Sequence, residues 1–382
     1  MKVTRVETKL VTRTSRNWKK NFATNRKEYT PGAMSDRKRL FVRIDTDEGV
    51  SGMSEGDAET CQAGKVHYIA KNLLIGEDPL ARERIWQHIW SCHSLFNISE
   101  HTLALIDIAL WDLAGKHVGL PVYKLIGACR EKVLAYASTA DGDDNGGLDS
   151  PEAYADFAEE CRKRGFAAFK IHPWGEPRRD VEACRAVRER VGDDMVLMLD
   201  PYSRYDLNEA IWVGKQIERL GFYWFESPLN EYSFYALAKL KSAVKVSLLV
   251  PESVTGHLYS TAEYIIRKVA DFVRVGVWDR GGLTPFLKTV ALAEAFGLSA
   301  EPHGGGAATL HGMCATMNTG YYEFGLLHPK VPLDRSLKGF WDIHGEKLTE
   351  RYEKGYVHVP DSPGIGAEIY WDKLEGELET SP

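Results

Sequence analysis

The chain lacks most of the features that would tie it to a special compartment or partner. No two of its six cysteines (Cys61, Cys92, Cys129, Cys161, Cys184, Cys314) stand in a CxxC spacing. Scattered thiols in a 382-residue chain exclude a disulfide framework and predict reduced, structural cysteines. There is no excess of basic charge: the formal net charge is -6, so nucleic acid is not an expected partner. That mild acidity does not forbid an anionic substrate, because local fields decide what binds. No apolar run approaches the roughly 20 residues that cross a bilayer. No apolar stretch follows the charges of the first twenty residues either, so no leader is expected. No low-complexity segment is present, and no glycine-rich phosphate turn opens the chain as a doubly wound sheet would want. A soluble cytoplasmic protein is the expectation, with a small molecule as its partner and a homo-oligomer as its assembly.

What is present falls into two rhythms. Residues 1–131 read as an α+β unit. Val3–Val11 and Leu40–Thr46 alternate as strands, and DTDEGVSG closes a meander. Helical patterns follow at Gln62–Ile75, Leu80–His93 and Glu100–Val118. Between the first two strands, Asn17–Pro31 is polar and aromatic, and reads as a long binding loop or lid. From Lys132 to about residue 357, short β-rich runs alternate with amphipathic helices: VLAYAS, AAFKIH, MVLMLD, FYWFES, VSLLVP, FVRVGV, LSAEPH and YYEFG. Eight such runs, each but the last followed by a helix, predict an α/β fold, a closed (β/α)8 TIM-type barrel. The turn-rich segment 358–382 is expected to pack back and complete the capping domain.

Catalytic groups of such barrels collect at the C-terminal ends of the strands. Asp200, Glu226 and Glu252 end three successive runs at intervals of 26 residues. One such acid alone can simply cap the helix that follows it. Three in step converge on one rim, where like charges need a cation, and oxygen ligands favour Mg2+ or Mn2+ over zinc. Lys170 and His172 flank Ile171 and share the inward face; beside a metal and a second base, the lysine pKa is expected to fall. His303 lies in EPHGGG, whose glycines let backbone approach a ligand. Glu323 ends the eighth run, where a protonated acid could hydrogen-bond a substrate carboxylate. His257, His311 and His328 read as helix-face or loop residues, and Trp86, Trp90 and Trp111 as core of the cap.

The LALIDIALWDLAGK helix, the KIH strand, the D…WFESP…PES series and the closing PDSPGIGAEI resemble the enolase superfamily, mandelate racemase branch, over nearly the whole chain. The resemblance implies that Asp200, Glu226 and Glu252 hold one Mg2+ per subunit, with Mn2+ an alternative. It places Lys170 and His172 in the strand-two slot that is Lys-x-Lys in many relatives, and makes His303 the strand-seven histidine and Glu323 the strand-eight acid. Three departures stand out. His172 replaces a lysine and could serve as base with an unperturbed pKa of about 6.5. The aspartate that orients the histidine should fall near Gly276, and Asp279 stands where relatives often carry a lysine. His303 is therefore expected to lack its partner and to have a lowered pKa. Pro201-Tyr202 replaces an Ala-Asn pair, which alters the contacts to substrate. With a polar cap segment carrying Trp18, Asn21 and Arg26, the expected reaction is dehydration of a sugar acid: Lys170, His172 and His303 catalyse, while Glu323, Arg26, Asn21, Trp18 and Tyr202 bind. A racemase or epimerase of a hydroxy acid, or a metal-binding barrel without catalysis, are the alternatives.

Overall fold

The computed structural model describes residues 1–21, 26–331, 352–366, 369–374 and 376–381. The chain opens with β1 (Val3–Asn21), β2 (Arg26–Thr46) and β3 (Ser51–Asp57), an antiparallel meander. Its apolar positions (Val3, Val6, Leu40, Val42, Ile44) face α1 (Ala63–Ile69), α2 (Arg82–Cys92) and the long α3 (Glu100–Val118) in a shared core. Ser99 caps α3 by accepting the Thr102 N–H, and left-handed Gly119 ends it. The C-terminal β14 (Glu377–Ser381) pairs with β1 on the free edge of this sheet.

The sequence reading of 17–31 as a loop is corrected for its described residues, 17–21 and 26–31; residues 22–25 lie outside the described residues. The hairpin ladder runs on, with Trp18 opposite Tyr29 and Asn21 opposite Arg26. It is held by polar cross-strand pairs such as Ser15–Ser35 at 2.8 Å and Thr14–Asp36 at 2.6 Å. Among the described residues of this stretch Tyr29 is buried and Trp18 packs against the barrel core. The polar residues around them form no alternating apolar run, so periodicity could not reveal the strands.

After the short α4 (Val122–Ile126) the chain alternates strand and helix: β4 (Lys132–Asp141), α5 (Pro151–Lys163), β5 (Ala168–His172), α6 (Pro177–Val191), β6 (Val196–Leu199), α7 (Leu207–Arg219), β7 (Trp224–Glu226), α8 (Phe234–Ala243), β8 (Ser247–Val250), α9 (His257–Ile266), β9 (Phe272–Gly276), α10 (Leu283–Ala295), β10 (Ser299–His303), α11 (Ala307–Cys314) and β11 (Tyr322–Leu327). Strands β4 to β10 pair in parallel with their sequence neighbours, and β11 pairs with β4. The eight strands are those expected, and they form a (β/α)8 barrel. The short β12 (Tyr352–Glu353) and β13 (Tyr356–His358) pair antiparallel, β13 against the start of β4.

Helix α3 seats the cap on the barrel through buried carboxylates. Asp107 accepts the Thr284 N–H and hydroxyl at the start of α10, at 2.9 and 2.6 Å. Asp112 accepts the N–H groups of Met53 and Ile365, tying the meander and the C-terminal segment to the same helix. Each such bond contributes about 1 kcal/mol, and leaving the buried partner unpaired costs more. This seam fixes the cap over the C-terminal mouth of the barrel.

Candidate active site

On β5, Phe169 and Ile171 pack into the helix-facing core, so Lys170 and His172 face the barrel interior. Asp200 follows β6, Glu226 ends β7 and Glu252 follows β8 by two residues. All three are buried, and one oxygen of each lies within 4.8 Å of the others. At that spacing each pair of carboxylates repels by roughly 3–4 kcal/mol in an effective dielectric of about 20. The Lys170 ammonium lies 3.1 Å from Asp200, 3.0 Å from Glu226 and 2.9 Å from Glu323. Burial lowers its pKa, but Glu226 and Glu323 outweigh this and hold it well above the ordinary lysine value. The lowered lysine pKa expected from sequence is thus reversed: the carboxylates that were to hold the metal also grip the amine.

Arg274, on β9, received no role from the sequence. It is fully buried beneath the site, 2.6 Å from Glu226 and 2.7 Å from Glu323. Glu323 also accepts from the Ser138 hydroxyl at 2.9 Å and the Gly304 N–H at 2.8 Å. Burial would raise its pKa, yet Lys170 and Arg274 hold it well below the carboxylate range. Four donors thus disfavour the protonated form in which it could donate to a substrate. Burial, opposed by Arg274 and Lys170 and reinforced by Asp200 and Glu252, pushes Glu226 up to about 7. Four carboxylates therefore face two fixed cations. With all four ionised, two negative charges are left over, and that excess with the all-oxygen donor set fits a hard divalent cation.

Two histidines flank the acids. His172 directs Nδ1 at the Thr139 carbonyl (2.7 Å) and Nε2 at Asp200 (2.9 Å). His303 directs Nδ1 at Asp279 (2.6 Å) and Nε2 at Glu252 (3.0 Å). The expectation that His303 lacks a carboxylate partner is overturned. Asp279 reaches back over Gly276, and it can do so because that position has no side chain: a Cβ there would stand 1.9 Å from the Asp279 carboxylate oxygen. The expected fall in the His303 pKa is overturned with it. Burial lowers it, but Asp279 and Glu252 carry it well above the ordinary value. The signal was in the sequence, as a glycine and an aspartate three residues apart. Reading them together required the path of the chain after β9.

Tyr202 and Ser203 are both in the left-handed region, with φ of 50° and 59°, uncommon for non-glycine residues and typical of loops held for function. The Tyr202 N–H donates to Asp200 at 3.0 Å, and burial raises the pKa of its phenol above the ordinary tyrosine value. Trp18 stands elsewhere on the rim, edge-on to Tyr29 at 6.1 Å and to His328 at 5.5 Å. His328 is bonded to Asp143 at 2.9 Å. The side chains of Asn21 and Arg26 lie outside the described residues.

Residues 17–127 match the mandelate racemase / muconate lactonizing enzyme N-terminal domain, and residues 153–373 match the enolase C-terminal domain-like family. The chain belongs to the mandelate racemase / muconate lactonizing enzyme branch of the enolase superfamily. It is 33% identical to an L-talarate/galactarate dehydratase of Salmonella typhimurium, over 90% of this chain and 84% of that protein. It is 31% identical to a D-galactarolactone cycloisomerase of Agrobacterium fabrum, over 88% and 90%. The crystal structure of a D-glucarate dehydratase from Agrobacterium tumefaciens, complexed with magnesium, superimposes with a TM-score of 0.91 at 38% identity, covering 98% of both chains. Among the described residues no helix is long and apolar enough to cross a membrane.

Proposed function

We propose that this chain is a sugar-acid dehydratase, a hydro-lyase that removes the proton α to a carboxylate and then the β-hydroxyl, leaving a 2-keto-3-deoxy acid. The observation that carries the reading is the pair of histidines on either side of the acid triad, each anchored through Nδ1 and presenting Nε2 inward. Relatives whose names are sugar-acid dehydratases, acting on gluconate, arabinonate, talarate, galactarate and glucarate, support the substrate class. Asp200, Glu226 and Glu252 would hold Mg2+, which would supply a Lewis acid for the substrate carboxylate and the charge of its enediolate.

The chain's own groups divide the proton work. With Nδ1–H fixed on the Thr139 carbonyl, His172 gains and loses its proton at Nε2, and it is the α-proton base. His303, held cationic by Asp279, gives its Nε2 proton to the departing β-hydroxyl. Lys170 provides fixed positive charge, and Glu323 holds that lysine in place. Tyr202, whose N–H is held by Asp200, contacts substrate beside the metal ligands. The reading of a barrel without catalysis rested on a missing partner for His303, and Asp279 removes that ground.

The test is a panel of sugar acids incubated with Mg2+ and assayed for 2-keto acid, with α-proton exchange followed in deuterated solvent. Keto-acid formation on at least one acid is expected. Exchange with no keto acid on any of them would replace the dehydratase by a racemase or epimerase. Neither signal, with metal still bound, would end the enzymatic reading.

A further inference from the structure

Glu252 does not sit on a strand. It lies on the loop after β8, and a loop ligand is placed only as well as its backbone is held. Two buried charged side chains outside the acid triad hold it, from opposite sides. Glu231, on the loop after β7, accepts the Glu252 N–H at 2.8 Å on one oxygen and 3.0 Å on the other, and the Ser253 N–H at 2.9 Å. Arg280 takes the carbonyls of the same stretch: Pro251 at 2.8 Å, Val254 at 3.0 Å and Glu252 at 3.4 Å. Carboxyl oxygens accept from the donors of the segment and a guanidinium donates to its acceptors.

Each arm of this clamp is tied to a further group of the site. The Ser227 hydroxyl, one residue after Glu226, lies 2.9 Å from Glu231 and 3.1 Å from the Glu252 carboxylate. The Tyr264 hydroxyl donates to the Glu231 carbonyl at 2.5 Å, fixing the loop that carries the acid. Arg280 directly follows Asp279, the partner of His303, and its guanidinium also meets the Asp279 carbonyl at 3.3 Å. The segment carrying Glu252 and the residue that orients His303 thus share one buried guanidinium.

We propose that Glu231 and Arg280 are positioning residues that set Glu252 for divalent-cation binding and link that placement to the Asp279–His303 pair. The proposal rests on the metal reading above. Glu231→Gln is a sharp probe because it is isosteric and both carboxylate oxygens are acceptors: either orientation of the amide turns an NH2 toward a backbone N–H. Arg280→Lys keeps the charge and loses the fork that spans several carbonyls.

The experiment is a titration of the full chain with Mn2+, read by electron paramagnetic resonance, beside thermal unfolding in EDTA. Glu231→Gln and Arg280→Lys are expected to bind Mn2+ about 10–100-fold more weakly, the range seen when the supports of metal ligands are removed. Ser227→Ala, a milder change that spares the fold, is expected to weaken binding a few-fold. Asp107→Asn, in the seam between cap and barrel, is the control: it should lower the unfolding temperature and leave Mn2+ affinity unchanged. Unchanged Mn2+ affinity in Glu231→Gln and Ser227→Ala overturns the proposal, as does an affinity loss in Asp107→Asn as large as theirs. A wild-type chain that binds no Mn2+ removes the metal reading and this proposal together, whereas wild-type binding with unaffected variants removes this proposal alone.

Discussion

The two sides of the barrel mouth carry the same side chain in two different settings. His172 and His303 both turn Nε2 toward an acid of the triad and anchor Nδ1 behind them. On the β5 side the anchor is a neutral carbonyl, that of Thr139; on the β10 side it is the Asp279 carboxylate. A carbonyl fixes the tautomer and leaves the ring able to exist uncharged. A carboxylate also stabilises the imidazolium. Both pKa values rise, but that of His303 rises much further. One ring is thereby suited to accept a proton and the other to donate one. On the proposed reading, the division between base and acid lies in what stands behind the ring.

Removing what the two sides share should abolish the work of both. Glu226 stands between Asp200 and Glu252 and carries one of the charges a cation would meet. Glu226→Gln is expected to cost several kcal/mol of transition-state stabilisation, about three orders of magnitude or more in turnover, with the fold retained. Activity at limiting Mg2+ and circular dichroism check it; near-normal activity would mean the acids do not hold the metal. His172→Asn should follow in size. It is expected to abolish α-proton exchange and keto-acid formation together, by about 10²–10⁴-fold. Exchange persisting at the wild-type rate would move the base to Lys170 or His303.

His303→Asn should split the two signals. Exchange survives, because the base is on the other side, while keto-acid formation falls by about 10²–10⁴-fold. Loss of both with substrate still bound would give His303 a share of the base role and favour a racemase-like reaction. Asp279→Asn acts through the same ring and should cost less, about 10–100-fold. It carries a pH signature as well. Asp279 raises the His303 pKa, so the acid stays protonated into alkaline solution. Without that charge the alkaline limb of the kcat/KM profile should move to lower pH, and an unmoved limb would mean His303 is not the acid.

The fold was legible because its signals are periodic. Eight buried strands spaced by helices, and three acids one repeat apart, survive any reading that respects the barrel rhythm. The polar arm of the cap hairpin was not legible, since its ladder of backbone bonds leaves no mark on the side-chain pattern. Arg274 and Glu231 were missed for a different reason. A buried charge has no sequence signature of its own, and only its partners on other strands give it meaning. Counting positions from relatives puts the partner of His303 at Gly276 and Asp279 in a slot often held by lysine, so the pairing of Asp279 with His303 is not visible without the path of the chain.

Gly276 itself offers the finest probe of the His303 side. Gly276 and Asp279 act as one device, in which the glycine leaves the room that the carboxylate fills. In Gly276→Ala the new methyl would meet the Asp279 oxygen at 1.9 Å and its carboxyl carbon at 2.9 Å, so the carboxylate must leave its place against His303. Nothing else near Gly276 changes charge. The effect should therefore reproduce Asp279→Asn in kind, with the alkaline limb moved down and α-proton exchange spared. It should be smaller in size, roughly tenfold in keto-acid formation, because the carboxylate stays in the neighbourhood. The double variant Gly276→Ala/Asp279→Asn should be no worse than Asp279→Asn alone, since two changes that break one contact do not add. Full additivity would show that Gly276 serves the site by another route, and that the pairing of Asp279 with His303 does not depend on the gap left by the glycine.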